Sequence, residues 1–407
     1  MWSGAAHAAV NATLAQVITA AWPEQALRIC AAPDKIAVIQ DELRAAGDLP
    51  PRLGFCPVRV SSRYPGKTHL VSARRLLREA AAVWRALGLA PRGEPCLVVL
   101  ASATATLITA AIIAAAASRL LHRRRVGIQA VLHGNLNEID GWRSRNPLRR
   151  AFDLRSVLAR PHCALRYLVL EEVIRAELLR RGAAAAVDAL PHPVSLAGLT
   201  DRPPLPLAGP LRFGLVGQAT EAKGSTVFLA IARRLRARHG SAVEFHLVGP
   251  VPPGGDLTRF AALSHPVEPG LLSRETYLQR LAALHFVLLP LRPEYYRLSA
   301  SGGLLDAIVW CKPLIATRLP VTEALFAQQG DLGVLCDDDA GLEAAVDAVL
   351  RARDAARYAR QVEALRRLRD SRRPDRLAPR YRALTEAGFP GLLALERDRF
   401  KWGRPEA

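Results

Sequence analysis

The chain is short of several things that would each define a class of protein. Its 407 residues include one methionine and only five lysines (Lys35, Lys67, Lys223, Lys312 and Lys401), and aromatics make up 6%. Six cysteines (Cys30, Cys56, Cys96, Cys163, Cys311 and Cys336) are scattered with no C-x-x-C pair, and no histidine stands at zinc-finger spacing. Neither a disulfide framework nor a metal site is therefore expected, and a reducing cytoplasm suits the free thiols. A basic stretch, an apolar core and a small-residue cleavage site are missing at the start, so a secretory leader is not expected. Acid is scarce too: 37 Asp and Glu face 56 Lys and Arg, a formal charge of +19 spread over both halves. With half the residues apolar and 23% charged, the chain is neither collagen-like nor disordered, and its length suits two domains.

From Cys96 to Ser118 there is no charge at all, a run long enough to span a bilayer. Its two halves differ, however. CLVVLAS is β-branched and ATLITAAIIAAAAS is alanine-rich, so a buried strand followed by a buried helix is expected.

Strand and helix patterns alternate, most clearly in the second half. Strands are expected at 211–217, 243–249, 285–291, 313–319 and 333–337, with helices between them. Ser225 and Ser273 serve as candidate N-caps, Ser301 as a further helix start, and Gly240 as a stop. Strands apolar on both faces and joined by helices imply a parallel sheet covered on both sides. The first half repeats the alternation at 28–32, 57–61, 96–102, 126–133 and 166–172, and the proline-rich stretch from Pro191 to Pro210 separates the halves. The fold class expected is α/β, with two Rossmann-like doubly wound domains facing a central cleft: 1–200, 201–385, and a tail at 386–407 packing back on the first domain. Ligands of such folds sit at the carboxyl ends of the strands.

Two openings at those ends carry chemistry. After 211–217 comes GQATEAKGS, in which Gly217 and Gly224 let backbone N–H groups approach a ligand and Lys223 supplies a point charge suited to a diphosphate. Downstream, PEYYRLSASGGLLDAIVWCKPLIA places Ser299, Ser301, Gly302 and Gly303 at a helix start, with Asp306 within its first turns, where a carboxylate can accept hydrogen bonds from ribose hydroxyls.

Together with HLVGP, ETYLQRLAALHFVLLPL and the PHPV segment (191–194), these motifs resemble the GT-B glycosyltransferases of the family 4 type, over most of the chain. The resemblance implies a metal-independent transferase, with no cofactor, moving a hexose-type sugar from a nucleotide sugar to a glycan or lipid-linked acceptor with retention of configuration. In the family's E-x7-E signature Asp306 matches the second acid, but Leu298 occupies the first position, so Glu294 or Tyr296 would have to reach the sugar. His133 matches a histidine near the donor sugar. Ser3, Gly4, His7 and Asn11 look like the acceptor-side loop and helix, without the strand that usually precedes them. That gap and the imperfect signature leave a second reading open, a catalytically inactive binding protein of the same fold.

PGKTHL (65–70) is not a P-loop, because that motif needs glycine where Ser61 stands. Arginine runs at 119–125 with 143–150, and at 351–382, suggest docking to an anionic membrane, hence a peripheral location at the inner face. They lack the interleaved aromatics of a nucleic-acid site.

Overall fold

The computed structural model describes residues 8–392 except 48, 60–72, 92, 135, 141–145, 147–152, 184–185, 198, 200, 202, 252–256, 268–269 and 271. The chain divides into two compact units, residues 1–198 with 372–407, and 199–371.

The first unit contains α1 (Ala8–Ala21), β1 (Leu27–Ala31), α2 (Pro33–Ala46), β2 (Leu53–Pro57), α3 (Ala73–Leu87), β3 (Cys96–Leu100), α4 (Ala105–His122), β4 (Val126–Leu132), α5 (Leu154–Leu158), β5 (Leu165–Leu170), α6 (Glu172–Arg180) and β6 (Val187–Leu190). Strands β3-β4-β5-β6 form one parallel sheet in sequence order, and β1 pairs with β2 in a separate parallel ribbon. The charge-free run is a strand and a helix, as its composition predicts. Thr104 caps α4 by accepting a hydrogen bond from the Leu107 N–H.

The second unit contains β7 (Leu211–Val216), α7 (Ser225–His239), β8 (Val243–Val248), α8 (Arg274–Ala282), β9 (Phe286–Leu289), α9 (Pro293–Tyr296), α10 (Gly302–Val309), β10 (Leu314–Thr317), α11 (Pro320–Gln329), β11 (Gly333–Cys336), α12 (Asp339–Ala352) and α13 (Ala355–Ser371). Its parallel sheet runs β11-β10-β9-β7-β8. Three phenylalanines fix the register of the central strands: Phe213 is paired with Phe245 on one side and Phe286 on the other, with ring centroids 5.8 and 5.3 Å apart. The fully buried His285 joins β9 to β7. Its Nδ1 accepts from the Arg212 N–H at 3.0 Å and its Nε2 donates to the Pro206 carbonyl at 3.1 Å. Burial lowers its pKa to about 4, so the ring is neutral.

The structure departs from the sequence reading in four places. The last helix, α14 (Pro374–Gly388), belongs to the first unit, not to a second domain ending at 385. Its apolar face of Leu377, Ala378 and Tyr381 completes a core with Leu14, Val17 and Trp22 beneath β4 and β5, and the Tyr381 hydroxyl donates to Gln129 Oε1 at 2.5 Å. Beyond it, Phe389 and Leu392 pack where a side chain on Gly127 would otherwise sit. The strand expected at 57–61 lies at Leu53–Pro57, and β6, only four residues long, escaped notice. Ser225 does not cap α7; Gly224 does, in a left-handed conformation. Within the first unit, the PHPV segment runs beside Arg372. The buried guanidinium of Arg372 pairs with Glu171, and its carbonyl accepts from the Val194 N–H.

Candidate functional site

In the second unit β7 has β8 on one side and β9 on the other, so the connections leaving β7 and β9 diverge and open a crevice at their carboxyl ends. Both motif loops begin there. Glycine contacts show how tightly they converge. A Cβ on Gly224, whose φ is +68°, would stand 2.0 Å from the Pro290 carbonyl oxygen, which brings the loop after β7 against the loop after β9. A Cβ on Gly303 would stand 2.5 Å from the Val216 carbonyl oxygen, so the first turn of α10 rests directly on the end of β7. Next to it Gly302 is exposed and faces open space, so the first turn of α10 is open at that residue.

Lys223 folds back over Gly217. Its Nζ donates to the Val216 carbonyl at 3.2 Å and occupies the space a Cβ on Gly217 would need. Burial lowers the ammonium's pKa, and the charge of Asp306 opposes that shift. A cation, open helix amides and a carboxylate thus share one strand end. Asp306 accepts a hydrogen bond of 2.5 Å from the Tyr277 hydroxyl of α8, and burial followed by the Asp306 charge raises that phenol's pKa. Arg292 holds the two loops in place: its N–H donates to the Ala222 carbonyl and its guanidinium grips the Asp339 carboxylate at 3.1 Å.

The remaining expected residues of this unit surround the helix start. Glu294 is exposed on α9, and Tyr296 is half-buried, its phenol pKa raised by burial. Ser299 is half-buried. The Ser301 hydroxyl is buried beside Tyr296 and makes no well-formed hydrogen bond among the described residues. Leu298 is only 1% exposed, a core residue that cannot take the place of the missing sugar-contacting acid.

In the first unit the structure links two residues that the sequence treats separately. Ser102 donates to Asn11 Oδ1 at 3.2 Å and lies 3.3 Å from His133 Nε2, which also contacts the Ala101 carbonyl at 2.9 Å. Ser3, Gly4 and His7 lie outside the described residues. Sequence reasoning missed Ser102, Tyr277 and Arg292. Ser102 lies in the turn two residues beyond β3, and its place at the end of the expected strand 96–102 was its one available signal; Tyr277 and Arg292 are far in sequence from the groups they hold. Glu244, His246 and His265 form a cluster of metal-ligating type. It stands near the amino end of β8, opposite the motif loops.

The two units of parallel sheet wrapped by helices have the GT-B fold, as likeness to solved structures shows. No family model matches the chain, and no curated protein matches it in sequence. Solved structures match it in fold. A glycosyltransferase from Rickettsia africae ESF-5 superposes with a TM-score of 0.64 at 10% identity, covering 96% of this chain and 98% of that one. Anabaena HepE, crystallised with UDP-glucose, gives 0.63 at 14% identity over the same shares. S. aureus TarM, solved with UDP, gives 0.56 at 10% identity and covers 75% of this chain; the match spans 58% of TarM's length.

Proposed function

We propose that the chain transfers a hexose-type sugar from a nucleoside diphosphate sugar to a glycan or lipid-linked acceptor. The observation that carries this reading is the convergence of Lys223, the open first turn of α10 and Asp306 on the switch point of the second unit. The same fold holds UDP-glucose in HepE. Lys223 and the amides of 301–303 would neutralise the departing diphosphate, Asp306 would receive ribose hydroxyls, and Glu294, Tyr296 and Ser299 would face the sugar. In the first unit His133, held through Ser102 to Asn11, is proposed as the polar group that orients the acceptor hydroxyl. With a fixed ammonium and helix dipole against the leaving group, the reaction needs no divalent ion. Retention of configuration would follow if the departing phosphate itself takes the acceptor's proton.

The test screens UDP, GDP and ADP for thermal stabilisation, then assays the corresponding sugars for slow hydrolysis and transfer with and without EDTA. Binding and EDTA-resistant turnover that both fall in Lys223→Ala and Asp306→Ala support the reading. Absence of nucleotide binding overturns it, and binding without turnover on any sugar overturns the transferase assignment.

A further inference from the structure

We propose that the outer face shared by α3 and α4 docks the protein onto an anionic lipid bilayer. This goes beyond glycosyl transfer, and of the two arginine runs it keeps only Arg119 and Arg123 as membrane contacts. Those runs are largely spent within the fold. Arg124 is buried against the Leu87, Ala90 and Pro91 carbonyls, Arg125 holds the Pro390 and Gly391 carbonyls, and residues 143–145 and 149–150 lie outside the described set. In the 351–382 run, Arg353 caps the Leu207 and Gly209 carbonyls, while Arg357, Arg366, Arg369, Arg372 and Arg382 are paired with carboxylates. A guanidinium with five donors serves internal carbonyls and acids as readily as phosphates.

Elsewhere the balance is different. Among the described residues eight large apolar side chains are well exposed, and six of them lie on α3, on α4 or just after α3. Leu120 is 83% exposed, Leu77 70% and Leu121 66%. The Trp84 ring of α3 stands 5.4 Å from the His122 ring at the end of α4, so the two helices present one continuous surface. At about 100° per residue, Arg74, Arg78 and Arg85 line one edge of the exposed stripe of α3, and Leu77 and Trp84 line the other. Arg119 and Arg123 repeat this at the end of α4. None of these five arginines is ion-paired to a described residue. The only acid on either helix is Glu79, which is buried and paired with Arg75 at 2.9 Å.

A solvated helix face would not expose so much apolar surface in one place, and a second copy would set like charges against like. Phosphate headgroups for the arginines and hydrocarbon for the leucine and tryptophan tips are supplied together by an anionic bilayer. Helix α4 is long and apolar enough to cross a membrane by length and composition, but Leu107, Ile108, Ala111 and Ala115 are buried in the unit. The pair therefore lies on the surface, with the last turns of α4 dipping into it.

Flotation of the full chain with vesicles tests this without nucleotide, so its outcome is independent of the transferase reading. Binding is expected on phosphatidylcholine mixed with phosphatidylglycerol, little on phosphatidylcholine alone, with release by salt. Each of Arg78→Ala and Arg85→Ala should lower the partition coefficient about fivefold. Leu120→Ser with Leu121→Ser should lower it at least about tenfold without changing the melting temperature, because both side chains are in solvent. Brominated lipid should quench tryptophan emission in the wild type, and less in Trp84→Phe. Equal binding to neutral vesicles, or no binding, overturns the proposal. So does salt-sensitive binding retained in the double serine variant, which would make the face a polyanion site, and so does a dimer that the double serine variant dissociates.

Discussion

Replacing Lys223 with methionine should weaken ligand binding while leaving the free protein as stable as before, or more stable. The ammonium is half-buried above Gly217, and burial lowers its pKa even with Asp306 nearby, so in the free protein it is a charge held partly out of water. A methionine of similar length fills that space without the desolvation cost, and such replacements are often neutral or stabilising. The sign with pH agrees. Between the lowered folded pKa and the ordinary 10.5 the unfolded chain carries more protons, so wild-type stability climbs toward alkaline pH, a climb the variant should lack. A diphosphate, however, loses a charge-assisted hydrogen bond of about 1.5–3 kcal/mol, roughly a 10- to 100-fold weaker affinity. At a nucleotide concentration one hundred times the wild-type Kd, the stabilisation of about 2.7 kcal/mol should drop to about 0.4–1.4 kcal/mol. Calorimetric titration with the tightest-binding of UDP, GDP and ADP, paired with urea melts of the free proteins, measures both quantities. Unchanged affinity refutes the placement of the diphosphate at Lys223. Lost affinity accompanied by a less stable free protein shows Lys223 to be a structural group instead.

Three further outcomes test neighbouring parts of the structure. Asp306→Ala should weaken nucleoside diphosphate binding about 10-fold or more and not weaken inorganic pyrophosphate binding, as titrations of both will show; equal losses mean that Asp306 supports the site as a whole rather than binding the ribose. Gly303→Ala should cost about 1–3 kcal/mol in chemical denaturation, because its Cβ meets the Val216 carbonyl oxygen, whereas Gly302→Ala faces open space and should not destabilise. His285 is held neutral with its pKa lowered to about 4 from 6.5, principally by burial, with Arg212 and Lys312 adding to the shift and Glu244 opposing it. Below 6.5 the unfolded chain takes up the proton first, so stability should fall by roughly 3 kcal/mol as pH drops from about 6.5 to about 4. Urea melts of His285→Ala across that range should show the dependence removed.

Local pattern was enough to read most of the second unit. Its strands are apolar at most positions because both faces are covered, with Arg212, Glu244 and His246 charged or polar exceptions toward their amino ends, and the turns between them carry glycine and serine, so period and punctuation coincide. The first unit was harder for identifiable reasons. Strand β6 is four residues long, too short to show a period, and β2 sits among residues of mixed burial. Helix α14 reads as one more amphipathic helix after α13, and nothing local says that Tyr381 packs on Trp22 rather than on the sheet it follows. The motif loops stood out because glycine and a rare lysine fell together at a strand end. Tyr277 on Asp306 and Ser102 between Asn11 and His133 could not be read, since each joins residues at least 29 positions apart.

The sequence by itself determined the alternation of strand and helix, the parallel sheets it demands, and the two loops able to meet a diphosphate, because each depends on residues within a few positions of one another. Only the tertiary structure decided where the charge acts. Of the +19, arginines in both dense runs turn inward to carbonyls and carboxylates, while a few on α3 and α4 stand outward among leucines and a tryptophan. A sequence records how many guanidinium groups there are; whether each finds a partner depends on distances that exist only once distant segments have packed.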